Sequence, residues 1–163
     1  MAILRHFVRD LVLLSKKASE ITRLIRQDDQ LLQLLIQEKP VDIEQGHFTQ
    51  DFKTLADVLI QEMIKDCLLK SYPLLPFIKG EESNQFTSKK GKIVEVKIKN
   101  SLDQMVKLLV PLMQESKNAA RKLALVILSE SRLNEKEENE LNQLGNLMID
   151  ESQLGIWIDP IGK

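Results

Sequence analysis

Three acidic segments carry the side chains of this sequence that could do chemistry. Asp57 closes the run Asp51-Phe-Lys-Thr-Leu-Ala-Asp57, Glu81 and Glu82 are adjacent in Gly80-Glu81-Glu82-Ser83-Asn84, and Asp159 follows the apolar run 154–158 and precedes Pro160. Hard divalent cations such as Mg²⁺ want oxygen ligands, take a few carboxylates and keep several waters. Carboxylates from three separated segments, two of them at strand ends, make such a donor set, and a main-chain carbonyl often joins them. Each segment alone has a plainer reading. Asp57 is then a boundary charge on the flank of a helical stripe, and Glu81-Glu82 is a polar turn. Asp159 stands out more, because loops at the carboxyl ends of strands are where α/β-type sheets hold their ligands.

The elements that must position these residues can be read from periodicity. Leu4, Phe7, Val8, Leu11, Leu14, Ala18, Ile21 and Ile25 recur at three- and four-residue steps, which predicts a helix that Leu31–Ile36 continues or restarts. Pro40 to His47 reads as a loop. A second stripe, Phe52, Leu55, Ala56, Leu59, Ile60, Met63, Ile64, Cys67 and Leu68, predicts a helix with Thr49 as N-cap, ended by Tyr72-Pro73. Leu75-Pro76-Phe77-Ile78 reads as a short buried strand leading to Gly80. From Gly91, Ile93, Val96 and Ile98 alternate with Lys92, Glu95, Lys97 and Lys99, a strand whose pattern only Val94 breaks. Ser101 opens a helix through Leu109, Pro111 kinks or restarts it, and another helix is expected from Gln114 to Ser129. Residues 134–142 read as solvated charged surface, helix or loop. Leu154 to Ile158 is apolar on both faces, which predicts a strand buried inside a sheet and delivering Asp159 at its end. Without the neighbours such a strand wants, its edge and apolar side chains would invite aggregation.

Composition bounds the rest. At 163 residues the chain is the size of one domain, with 23 Lys+Arg against 24 Asp+Glu, so no field gathers nucleic acid or an anionic membrane. Lys89, Lys90 and Lys92 form a short basic cluster that reads as solvated surface. The single cysteine, Cys67, excludes an intramolecular disulfide and lies on an apolar stripe, as a small core residue rather than a nucleophile. No apolar run approaches the ~20 residues that span a bilayer, and Leu11-Val12-Leu13-Leu14 is too short for a signal peptide. A cytoplasmic protein is expected. The fold class expected is α+β.

The three segments together resemble a family. Asp51 to Glu62, Gly80 to Asn84 and Leu154 to Ile161 look like inositol polyphosphate 1-phosphatases, lithium-inhibited and Mg²⁺-dependent relatives of inositol monophosphatase. The superfamily pattern is an Asp, then Glu-Glu, then Asp-Pro-Ile-Asp-Ser/Gly-Thr, then a distant Trp-Asp. The resemblance is strongest over 51–87 and 154–161. It implies that residues 1–163 form a single partial domain, the helix-rich amino-terminal portion of an αβαβα layered sugar-phosphatase fold with an incomplete sheet. It also implies Mg²⁺ as cofactor, with Glu81 and Asp159 as ligands, the Ile161 carbonyl as a third and Glu82 in a second tier. Asp57 would orient the attacking water. The implied substrates are inositol 1,4-bisphosphate and inositol 1,3,4-trisphosphate, cut at the 1-position, with no substrate-binding residue in this chain.

The resemblance stops at Gly162, where the pattern has an Asp, and glycine offers no side-chain oxygen. A truncated, inactive phosphatase form is therefore expected. Asp and Gly codons both begin with G, so reading through a donor site GTAAG after that base spells Gly162-Lys163. Translated intron, or an assembly error at the same exon edge, explains that ending. The alternative reading is a non-catalytic interaction protein, whose amphipathic helices 3–36 and 50–69 bind a partner such as the full-length enzyme.

Overall fold

The longest element is a helix because its apolar residues keep step with the helical repeat. In α1 (Leu4–Arg26), Phe7, Leu14, Ile21 and Ile25 are buried on one face, and Arg23 and Arg26 occupy the last turn. A computed structural model describes residues 1–27, 36–38, 52–88 and 90–159, with 36–38 and 52–54 as backbone only. Around α1 pack α2 (Leu55–Ser71), α4 (Lys117–Leu128) and α5 (Glu135–Asn142), while α3 (Leu102–Leu109) packs against α4. One cluster of buried side chains joins these elements, with Ile21, Leu55, Leu59, Ile60, Met105 and Ala124 fully buried within it. Phe7 meets Tyr72 edge-on at 4.9 Å between ring centroids, and the Tyr72 hydroxyl donates to Asp10 Oδ2 at 2.7 Å.

Capping chemistry sets the helix starts. The Ser101 hydroxyl accepts from the Gln104 amide, Ser116 from Ala119, and Asn134 forms a reciprocal box with Glu137. Pro111 sits in a 3₁₀ turn (Val110–Met113) that ends α3, and Gln114 and Glu115 take positive φ before α4 begins.

The strands are short. β1 (Ala2–Ile3) pairs antiparallel with β7 (Met148–Ile149), β2 (Ile36–Glu38) with β3 (Phe52–Thr54), and β5 (Gln85–Thr87) with β6 (Ile93–Glu95). Among the described residues only β4 (Phe77–Gly80) and β8 (Gly155–Ile158) pair in parallel. The result is a helix-rich α+β arrangement with small two-stranded sheets among the described residues. No helix among them is long and apolar enough to cross a membrane.

Several expectations are corrected here. Ile36, at the end of the expected helical cluster, lies in a strand, residues 31–35 lie outside the described residues, and Phe52 pairs with Glu38 so that the second helix starts only at Leu55. The predicted cap Thr49 and the loop 40–47 lie outside the described residues. The fourth helix starts at Lys117 rather than Gln114, because positive φ at Gln114 and Glu115 turns the chain first. In the alternating segment Ile93 is the exception: it is 63% exposed, whereas Val94 and Val96 face inward. Neither β4 nor β8 is buried on both faces: among the described residues they pair only with each other, and Phe77 and Trp157 face solvent. Segment 134–142 is a helix, and it is fastened rather than merely solvated. Lys16 Nζ reaches Glu137 at 2.6 Å, Arg9 reaches Glu138 at 3.7 Å, and Leu141 is buried. Cys67 is partly buried, and burial pushes its thiol pKa up, the opposite of an activated nucleophile.

Candidate functional site

The candidate site is built on the parallel pair. Phe77, Ile78, Lys79 and Gly80 stand opposite Gly155, Ile156, Trp157 and Ile158, so the two strands end level. The Glu81 amide extends the ladder by donating to the Ile158 carbonyl at 3.3 Å. Glu81 and Asp159 therefore leave adjacent strands at the same end, and both are exposed. Short apolar strands bounded by glycine and proline place them there. Gly155 lets the Phe77 ring lie across it: a Cβ there would stand 2.0 Å from that exposed ring, which would have to turn away.

A buried amide holds the turn after β4. Gln61 of α2 is fully buried, its Oε1 accepts from the Glu82 amide at 2.9 Å, and its Nε2 donates to the Glu82 carbonyl at 2.6 Å. The same Nε2 reaches Glu62 Oε1 at 3.2 Å, so Gln61 is satisfied as donor and acceptor. Gly80 makes room for it: a Cβ at Gly80 would lie 1.8 Å from Gln61 Oε1. Asp57 stands in the first turn of α2, partly buried and one helical turn before Gln61. The helix dipole favours a carboxylate there.

Of the five expected site residues, the structure brings Glu81 and Asp159 to one strand end. It ties Glu82 to Gln61 through its backbone and sets Asp57 on the helix that carries the clamp. Ile161 and Gly162 lie outside the described residues. No group of three or more His, Cys, Asp or Glu among the described residues converges tightly enough to hold a metal. Two exposed carboxylates fit an ion that keeps most of its water, as Mg²⁺ does, rather than a closed cage of protein ligands. Gln61 escaped the sequence reading because it falls outside the apolar stripe. Its spacing of four residues from Asp57, which puts both on one face of the helix, is the signal that could have found it.

Beside the strand end runs a groove of about 920 Å³ between α1, α2 and β8. Its apolar floor includes Leu14, Ala18, Ile60 and Ile156, and Trp157 and Asp159 border it on the strand side.

No family model matches the chain. Individual relatives do. The mouse (Mus musculus) inositol polyphosphate 1-phosphatase is 37% identical over 153 residues, covering 93% of this chain and 38% of the mouse protein. The human (Homo sapiens) enzyme is 36% identical over 157 residues and the bovine (Bos taurus) enzyme 38% identical over 160, each covering 94% of this chain and 38% of the relative. The chain thus spans well under half the length of these relatives. Across nearly all of its own residues it is homologous to part of inositol polyphosphate 1-phosphatase.

Proposed function

We propose that Glu81 and Asp159 are the first two ligands of a Mg²⁺ site for phosphomonoester hydrolysis. The reaction is removal of the 1-phosphate from inositol polyphosphates such as inositol 1,4-bisphosphate and inositol 1,3,4-trisphosphate, in a lithium-sensitive manner. The observation that supports this reading is the level ending of two parallel strands, from which Glu81 and Asp159 follow at the same end. The relatives, named for 1-phosphatase activity on inositol polyphosphates, agree with it. The bound ion would supply charge for the phosphoryl oxygens and lower the pKa of a bound water. The protein's own residues have separable tasks. Glu81 and Asp159 hold, the Ile161 carbonyl adds a ligand, Glu82 stands in the second tier, and Asp57 orients the water. Gln61 fixes the turn from which Glu81 projects. The layered αβαβα architecture is the setting proposed for these elements.

The 163-residue chain alone is expected to turn over no substrate, because Gly162 has no side-chain oxygen where the family pattern has an Asp. Two carboxylates and a carbonyl leave an ion mostly hydrated, so binding should be weak. Mn²⁺ titration followed by paramagnetic line broadening is expected to show a weak site centred on residues 81 and 159 and lost in Glu81→Ala. Broadening unchanged by that substitution would overturn the metal reading, and lithium-sensitive phosphate release from the isolated chain would overturn the expected inactivity. The adaptor reading gains nothing from the structure. The helix expected over 3–36 ends at Arg26, and its apolar residues Phe7, Leu14, Ile21 and Ile25 are already buried in the core.

A further inference from the structure

Two sets of cations on α1 have different surroundings, and Lys17, which lines a separate pocket beside Cys67, belongs to neither. In the first half of the helix, Arg5 donates to Asn142, Arg9 pairs with Glu138, and Lys16 pairs with Glu137 at 2.6 Å, so these side chains fasten α5. Arg23 and Arg26 do neither. Both are exposed, both line the groove beside β8, and neither has an ion pair among the described residues.

The helix face leading to them leaves room for a ligand. Ser15, Ser19 and Thr22 line the same groove at helical spacing, and their hydroxyls donate back to the carbonyls of Leu11, Ser15 and Ala18. Short side chains turned onto their own helix keep that wall low. Arg23 and Arg26, three residues apart, then project together at the far end. Asp159 lines the same groove. A volume of about 920 Å³ is at the upper end of what small-ligand sites use, ample for a phosphorylated polyol.

A helix C-terminus favours cations through its dipole, which accounts for basic residues in the last turn of α1. It does not account for both of them lining the groove that Asp159 borders. Guanidinium groups present forked donors that match phosphate oxygens two at a time. We propose that Arg23 and Arg26 bind the second, non-reacting phosphate of a bisphosphorylated polyol whose reacting phosphate lies at Glu81 and Asp159. This rests on the metal-site reading above and adds the feature that distinguishes a bisphosphate from a monophosphate ligand.

The test uses the 163-residue chain and two probes, inositol 1,4-bisphosphate and inositol 1-phosphate. Binding is followed by chemical-shift titration, once with Mg²⁺ and once in EDTA. Arg23→Ala/Arg26→Ala is expected to weaken the bisphosphate about ten- to a hundredfold, the scale of losing charge-assisted hydrogen bonds. With Mg²⁺ the monophosphate should change little, and Arg23→Lys/Arg26→Lys should fall between wild type and the double alanine variant. Both positions are exposed, so thermal melts should coincide with wild type. Three results overturn the proposal: no bisphosphate binding by the wild-type chain, unchanged bisphosphate affinity in the double alanine variant, or, with Mg²⁺, equal losses for the two probes. Failure of the metal reading shows elsewhere, as Mn²⁺ broadening insensitive to Glu81→Ala. The arginine effect measured in EDTA is independent of that result.

Discussion

The helical layer and the β4–β8 pair are built to different standards. Between α1, α2 and α4, Ile21, Leu55, Leu59 and Ala124 are all 0% exposed. In the strand pair Phe77 is 45% and Trp157 64% exposed, and each strand has one hydrogen-bonded neighbour. Glu81 and Asp159 belong to the second region, with only Asp57 on a helix, and the apolar burial that stabilises the fold belongs to the first. The difference shows how a sparse strand pair can still aim two side chains. Its rigidity is borrowed from α2, through the Gln61 amide that grips Glu82 from both sides.

The largest test of this comparison attacks the helices. Ile21→Ala opens a cavity at a fully buried position and should cost about 2–5 kcal/mol in urea unfolding. If the strand pair depends on the helical layer, amide exchange at 155–158 accelerates with it. Unchanged protection there would break the comparison and make the pair independently stable.

A smaller effect is expected at the join between the regions. Gly80→Ala puts a Cβ against Gln61 Oε1, and overpacking of this kind costs roughly 1–3 kcal/mol. Mn²⁺ binding should fall further than stability does, because the clamp on Glu82 is displaced. Adding Gln61→Ala to Gly80→Ala relieves the clash and should recover part of the stability without recovering Mn²⁺ binding. Recovery of both would show that Gln61 fills space rather than positions the turn.

The smallest effect tests the outer fastening of the helical layer by pH. The Lys16 ammonium and the Asn134 amide hold the Glu137 carboxyl below its ordinary value of 4.5. A carboxyl depressed on folding adds stability that is fully present above its unfolded pKa and is lost as pH falls through the folded one. Stability should therefore decline on acidification below about pH 5, and Glu137→Gln should flatten that limb slightly. An acid limb identical in the variant would remove Glu137 from the account.

How much of this was legible in the sequence differed by region in the same way. The apolar repeat of α1 and the serine cap of α3 are local signals, and both elements formed where those signals lay. Phe52 fits the helical stripe of α2 equally well, but it pairs in register with Glu38, and nothing local announces that partner. The strand 154–158 looked two-sided because Ile156, Trp157 and Ile158 are all apolar, whereas burial depends on neighbours that composition does not reveal. At the site, the strand-end placement of Glu81 and Asp159 could be read from punctuation by glycine and proline. Gln61 could not be read from the stripe, because an amide becomes buried there only through the backbone groups of Glu82.

The pairing of β4 with β8 also sets an order of assembly. All of α3, α4 and α5 lies between these strands in sequence, so their contact is among the most non-local in the molecule. Such contacts form slowly, since the loop must close before any hydrogen bond rewards it. A chain emerging from the ribosome presents Glu81 long before Asp159 exists, and its early helices can collapse on one another while Phe77 still lacks its partner strand. The two carboxylates come together only after the chain between them has been made, so the strand end that would receive an ion forms late rather than early.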